Sequence, residues 1–202
     1  QDITCAVVVS DSNGGSVTAT SSNSPTIINQ DPTIASISIG PDPAYNDDGL
    51  TATVVASDGD SHTLSTQYVW TNQTQSTSLG TSSSVTLTSS LASPGDVIGV
   101  SVTVDDGNGG TDTGTSSITL SNRLPTIDSF VLSPSSPSTT TDVVATVTTS
   151  DEDNSTVTTS YVWTVNGVGV SETSNTLRSS NFTKGQTVQV SATPNDGTEA
   201  GV

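Results

Sequence analysis

The sequence predicts an all-β chain built from tandem antiparallel β-sandwiches. Three observations carry this. Apolar and polar residues alternate with period two: Ile98, Val100, Val102 and Val104 are separated by Gly99, Ser101 and Thr103. That is the pattern of a half-buried strand, with one face in a core and one in water. The chain also repeats itself, and Pro32-Thr33-Ile34 returns as Pro125-Thr126-Ile127, 93 positions on. Finally, Pro, Gly, Asn and Asp punctuate short apolar runs, and no stretch has a helical period.

The repetition sets the boundaries. At the same offset Ile37 matches Phe130, Ile39 matches Leu132 and Pro41 matches Pro134. Asp58 and Asp60 match Asp151 and Asp153, and Tyr68-Val69-Trp70 matches Tyr161-Val162-Trp163. After a three-residue deletion Leu87 matches Leu177, Gly95 matches Gly185, and Asp106-Gly107 matches Asp196-Gly197. The N-terminal stretch repeats only the end of the unit: Ile3, Val7, Val9, Asp11 and Gly15 fall on Ile98, Val102, Val104, Asp106 and Gly110, and Asn29 falls on Asn122. Residues 1–30 therefore read as the last two strands of an upstream repeat. Residues 31–123 read as a complete repeat. Residues 124–202 read as a second one lacking its last strand, either because the chain is a window on a longer array or because a neighbouring copy donates that strand.

Each repeat is expected to hold six or seven strands. In the complete repeat they fall near 33–40, 50–57, 65–71, 83–89, 96–104 and 114–121, each bounded by turn-forming residues. Some 93 residues of short strands around one Trp suit an antiparallel sandwich. Linkers are expected at 29–32 and 122–125.

Composition excludes several functions. Acids outnumber bases 20 to 3, for a net charge of -17. A surface so acidic repels the phosphate backbone, so nucleic acid is excluded as a partner through a basic patch. No apolar run approaches the roughly 20 residues of a membrane-spanning helix. Disorder would suit the charge and the 36 Ser and 37 Thr among 202 residues, but not the strict alternation.

Tyr68-Val69-Trp70, Tyr161-Val162-Trp163, the Asp-x-Asp pairs before them and the Asp-Gly turns after the sixth strand carry a family resemblance. The repeat resembles the tandem immunoglobulin-like and cadherin-like repeats of large prokaryotic surface proteins. Its Tyr-x-Trp element is also similar to that of PKD modules, although Thr71-Asn72-Gln73 follows in place of their Asp-Phe-Gly-Asp-Gly. The resemblance implies immunoglobulin-like sandwiches in an extracellular or cell-surface setting.

Several residues stand out. Trp70 and Trp163, with Tyr68 and Tyr161 beside them, are the expected core anchors. Cys5 falls where the next repeat has Val100 and is expected to be a small buried hydrophobe; a bridge to another chain is the alternative. Of the 20 acids, 17 are Asp, the residue of turns and short-reach oxygen ligation. In an immunoglobulin-like sandwich the loops after the second and sixth strands share a pole. Asp58, Asp60, Asp105 and Asp106 should then cluster beside the linker acid Asp31, and Asp151, Asp153, Asn195 and Asp196 should do so in the second repeat. Like charges about 5 Å apart repel by roughly 1 kcal/mol in water. A hard divalent ion reverses that sign, and calcium takes six to eight oxygens. Calcium at the repeat junctions is the expectation. A solvated acidic turn and a high-salt habitat are the alternatives.

Three sequons, at Asn72, Asn154 and Asn181, are candidate glycosylation sites, and the Ser/Thr-rich stretches 74–90 and 133–141 are candidates for O-glycans. Enzymatic parts are missing: a single His, His62, follows Asp60 with no nucleophile marked near it, and no phosphate loop precedes a helix. The functional expectation is a structural or adhesive repeat protein, not an enzyme, forming a rod, surface layer or fibre from neighbouring repeats or copies. A filament subunit that polymerises by strand donation, and a glycan-binding accessory module, are the alternatives.

Overall fold

A computed structural model describes residues 3–201, and they are all-β. Strands β1 (Ala6–Ser10) and β2 (Ser16–Thr20) form an antiparallel hairpin. Every residue of both strands is exposed, because neither face is covered by another sheet among the described residues. Cys5, just before β1, is exposed too, contrary to the expected burial. Its inward position requires an opposing sheet, and among the described residues none covers this hairpin.

The first repeat holds seven strands: β3 (Thr33–Gly40), β4 (Gly49–Ser57), β5 (Ser65–Asn72), β6 (Thr77–Gly80), β7 (Ser84–Thr86), β8 (Val97–Asp105) and β9 (Thr111–Thr119). They make two antiparallel sheets, ordered β3-β4-β7 and β6-β5-β8-β9. Between them lie Leu50, Ala52 and Val85 from one sheet and Trp70, Ile98, Val100 and Val102 from the other. The alternation read at 98–104 is the inward face of β8. Trp70 has no exposed surface, and its indole N–H donates to the Ser82 carbonyl at 2.9 Å. Burying such a ring contributes about 2–3 kcal/mol. Tyr68 is partly buried against the same core.

The second repeat copies this order in β10 (Thr126–Ser133), β11 (Val143–Ser150), β12 (Thr158–Val165), β13 (Val168–Gly169), β14 (Thr176–Leu177) and β15 (Val188–Asn195). Its sheets run β10-β11-β14 and β13-β12-β15. Trp163 is buried, its N–H held by the Ser174 carbonyl at 2.9 Å, with Tyr161 packed beside it. A register shift between Ile34 and Ser36 recurs between Ile127 and Ser129, so even the edge irregularity repeats.

The repeats differ at one flank. In the first, β9 pairs along all of β8, and β3 lies against it. Gly114 makes this approach possible, since a Cβ there would sit 2.8 Å from Ile37 Cδ1. In the second, no strand among the described residues pairs with the outer edge of β15. Ile37 and Ile39 are therefore partly buried, whereas their counterparts Phe130 and Leu132 are 42% and 36% exposed. A cleft of about 530 Å³, lined by Leu132, Val143, Phe182 and Val188 among others, opens on this flank.

Asn72 requires a correction. It shares the inward face of β5 with Trp70 and is fully buried. Its amide donates to the Leu91 carbonyl and to Asp96, while its carbonyl accepts from Gln75 N–H. A glycan cannot project from it in this fold. Asn181 is half-buried in a 3₁₀ turn, and of the three sequon asparagines Asn154 is the exposed one.

Candidate functional site

The loops after β4 and after β8 meet at one pole of the first repeat, beside the incoming chain. Each is built on an aspartate that folds its own loop. Asp58 Oδ1 accepts the amide N–H groups of Asp60 and His62 at 2.8 and 3.0 Å. Asp106 Oδ1 accepts those of Asn108 and Gly110 at 2.7 and 3.0 Å. Asp satisfies this because its carboxylate reaches the backbone two residues on. Ser61, inside the first loop, takes a left-handed φ of 62°.

The entering linker is latched to both loops. Asn29 Nδ2 donates to Asp106 Oδ2 at 2.6 Å, and Gln30 N–H donates to Asp60 Oδ2 at 2.7 Å. Asp31 comes over Gly110: a Cβ there would lie 2.5 Å from Asp106 Oδ2 and 2.8 Å from Asp31 Oδ1. Asp106 is 4% exposed. The Asn29 amide, then the loop N–H groups, hold its carboxyl below the usual aspartate range despite burial.

Ligand atoms of Asp58, His62 and Asp106 lie within 4.8 Å of one another. Of the five acids expected at this pole, Asp58 and Asp106 thus converge, joined by the histidine. Asp60 is engaged by Gln30, and Asp105 Oδ1 accepts Gly107 N–H at 2.6 Å in its own turn. His62, which the sequence places in the loop after Asp60 with no nucleophile near it, becomes a functional candidate through this convergence. Its signal was position, four residues after Asp58 in a loop folded back by that side chain.

The second pole repeats the scaffold with different charges. Asp151 Oδ1 accepts from Asp153 and Ser155 N–H, and Asp196 Oδ1 accepts from Thr198 and Glu199 N–H. Asn122 Nδ2 donates to Asp196 Oδ2 at 2.8 Å, as Asn29 does to Asp106. Burial pushes the Asp196 carboxyl up, but the Glu199, Asn122 and Thr198 donors outweigh it and hold it low. Asn195 Oδ1 caps Gly197 N–H at 2.8 Å. Among the described residues no histidine joins these acids, and Arg123 occupies the linker where Gln30 sits in the first.

Arg123 closes this pole. Its Nη1 lies 2.8 Å from Asp153 Oδ1, its Nη2 2.8 Å from Asp47, and its Nε 3.3 Å from Glu152. The guanidinium also stacks 3.9 Å from the Tyr45 ring centroid. Partial burial opposes its charge, but Asp47 and Asp153 more than offset this and raise its pKa above the ordinary value. Asn46 of the first repeat, 2% exposed, donates to the Asp153 carbonyl at 2.8 Å. The second junction is thus a cross-repeat ion-pair network around one arginine.

No family model, curated protein or solved structure matches this chain. What fold and poles define is a class: an all-β repeat protein whose antiparallel two-sheet units meet at acidic poles latched by asparagine. Among the described residues no helix is long and apolar enough to cross a membrane.

Proposed function

We propose that the chain is a structural or adhesive stretch of an extracellular, cell-surface protein, a rod of immunoglobulin-like repeats held at fixed angles by their polar junctions. The observation that carries this reading is the Arg123 clamp. It leaves residues 122–125 little freedom, since Asn122 and Arg123 are both bonded to the next repeat and Pro125 is buried. A unit joined this way transmits orientation to its neighbour. A divalent cation at the acidic pole would fix the preceding junction in the same way, and calcium, which takes six to eight oxygen ligands in flexible geometry, suits carboxylates and turn carbonyls. The serine- and threonine-rich acidic surface and the exposed Asn154 sequon support an extracellular setting. Buried Trp70 and Trp163, with Tyr45 under Arg123, favour a rod over glycan stacking.

Small-angle scattering tests the rod. The wild type should give a narrow distance distribution, and Arg123→Gln should broaden it. An unchanged profile would sink the reading.

The exposure of the apolar Ile27 favours a second reading, strand donation between copies. The donated segment would be residues 16–28 of another copy. With Asn29 aligned on Asn122, Ile27 falls on Leu120, which is 2% exposed in the first repeat. Ile27 itself is 55% exposed. Light scattering would then show concentration-dependent oligomers that Ile27→Asp abolishes; a monomer at all concentrations removes this reading.

A further inference from the structure

The first pole contains one side chain that oxygen-only ligation does not need. His62 stands where the second repeat has Ser155. Its ring, with Asp58 and Asp106, places three ligand atoms within 4.8 Å of one another.

Two of these groups are left incomplete by the protein. The Asp58 side chain is fully buried, and while its Oδ1 accepts two loop amides, its Oδ2 has no hydrogen-bond partner. His62 Nδ1 is also buried without a hydrogen bond, 3.4 Å from Asp58 Oδ1. A buried carboxylate oxygen normally has a partner, and its absence has a cost. A metal ion answers both vacancies at once.

The ligand set selects the ion. Imidazole suits zinc and its first-row neighbours, whereas calcium takes hard oxygens. Asp106 is oriented by Asn29 and by the Asn108 and Gly110 amides, the kind of outer support that positions a metal ligand. A cleft of about 520 Å³, lined by Ile27, Ile28, Asn29, Asp60, His62 and Asn108, gives an ion a way in.

We propose that Asp58, His62 and Asp106 form a binding site for a divalent transition-metal ion of the zinc class. The inference takes from the rod reading only that a cation belongs at this pole.

The test is calorimetric titration of the full chain with zinc chloride and, separately, calcium chloride. One zinc per chain should bind. Binding should be lost in His62→Ser, which imports the second repeat's residue, and kept in Asp151→Asn at the other pole. Cobalt(II) added to the wild type should give the visible absorption of a low-coordinate nitrogen–oxygen site, a readout that depends on no variant. Calcium binding equally to wild type and His62→Ser, with no zinc heat, would overturn the zinc proposal and leave the calcium reading standing. Silence with both ions, and no cobalt band, would overturn both. Zinc binding that persists in a folded His62→Ser would overturn the assignment of His62.

Discussion

At the first pole two acids converge on a histidine; at the equivalent pole of the second repeat the acids surround an arginine. The backbone scaffold is the same in both. Each pole has an aspartate stapling the loop after the second strand, another stapling the loop after the sixth, and a linker asparagine latching the latter. Only the counter-charge differs. Arg123 brings it covalently, whereas Gln30 at the matching position brings none. A repeated acidic turn is therefore not a repeated charge environment. What an acid cluster does depends on the nearest cation, and here one residue of the linker supplies it or leaves it to solution.

The largest expected effect separates the repeats outright. Each contains one tryptophan, so each variant leaves a single reporter in the other repeat. Trp70→Ala and Trp163→Ala should each cost about 3–5 kcal/mol in their own unit. Urea unfolding followed by the remaining tryptophan should leave the other unit's midpoint nearly in place. A common shift would show that the junction couples the two folds.

Next comes the clamp. Arg123→Gln makes the second junction resemble the first and strands Asp153, whose side chain is fully buried. Breaking a fully buried pair costs about 3–5 kcal/mol. With Arg123 itself 21% exposed, about 2 kcal/mol is expected, seen as a lower melting temperature chiefly for the second repeat, whose Asp153 is left unpaired.

The third change strikes a polar cluster that only the first repeat has. Asp96 Oδ2 accepts from Asn72, Gln75 and Ser93 N–H, and in the second repeat Val165 and Gln186 take the places of Asn72 and Asp96. Asp96→Ala should destabilise the first repeat by about 1–3 kcal/mol through the unpaired Asn72. The paired change Asn72→Val with Asp96→Ala should recover part of that loss.

The smallest effect is pH. Asp106 and Asp196 are both held below the usual aspartate value of 3.8. A depressed folded pKa contributes stability that is complete above the unfolded value and disappears as pH falls through the folded one. Melting temperature should thus hold down to about pH 4 and then drop, and Asp106→Asn should flatten the drop for the first repeat only.

Much of the fold was legible because it is written twice. Alternation and turn residues located the expected strands of the complete repeat to within a few residues. Thr77–Gly80 escaped attention because a four-residue, mostly polar strand has no alternation to read. Asn72 was misread for a related reason: the sequon is a surface motif, yet Asn72 lies two residues from Trp70 and so must face the same way in a strand. The convergence of Asp58 with Asp106 was legible from loop position. Arg123 was not, since its partners Asp47 and Tyr45 lie about 76 residues away and no local pattern joins them. Cys5 illustrates a further limit: alternation tells which face points inward, not whether another sheet covers it.

The partly paired edge of β15 has a colloidal consequence for this stretch of chain. Among the described residues β15 is met on its outer side only at Pro194 and Asn195, by Gly201 and Ala200, and the other backbone groups of that edge, beside exposed Phe130 and Leu132, invite edge-to-edge pairing between molecules of this stretch. What opposes it is long-range repulsion between chains of charge -17. That repulsion reaches about 30 Å at 0.01 M salt and only about 8 Å at 0.15 M. It vanishes near the isoelectric point of about 4.1. Dilute buffer thus keeps the molecules dispersed, and brine or mild acid lets them gather, strand against strand.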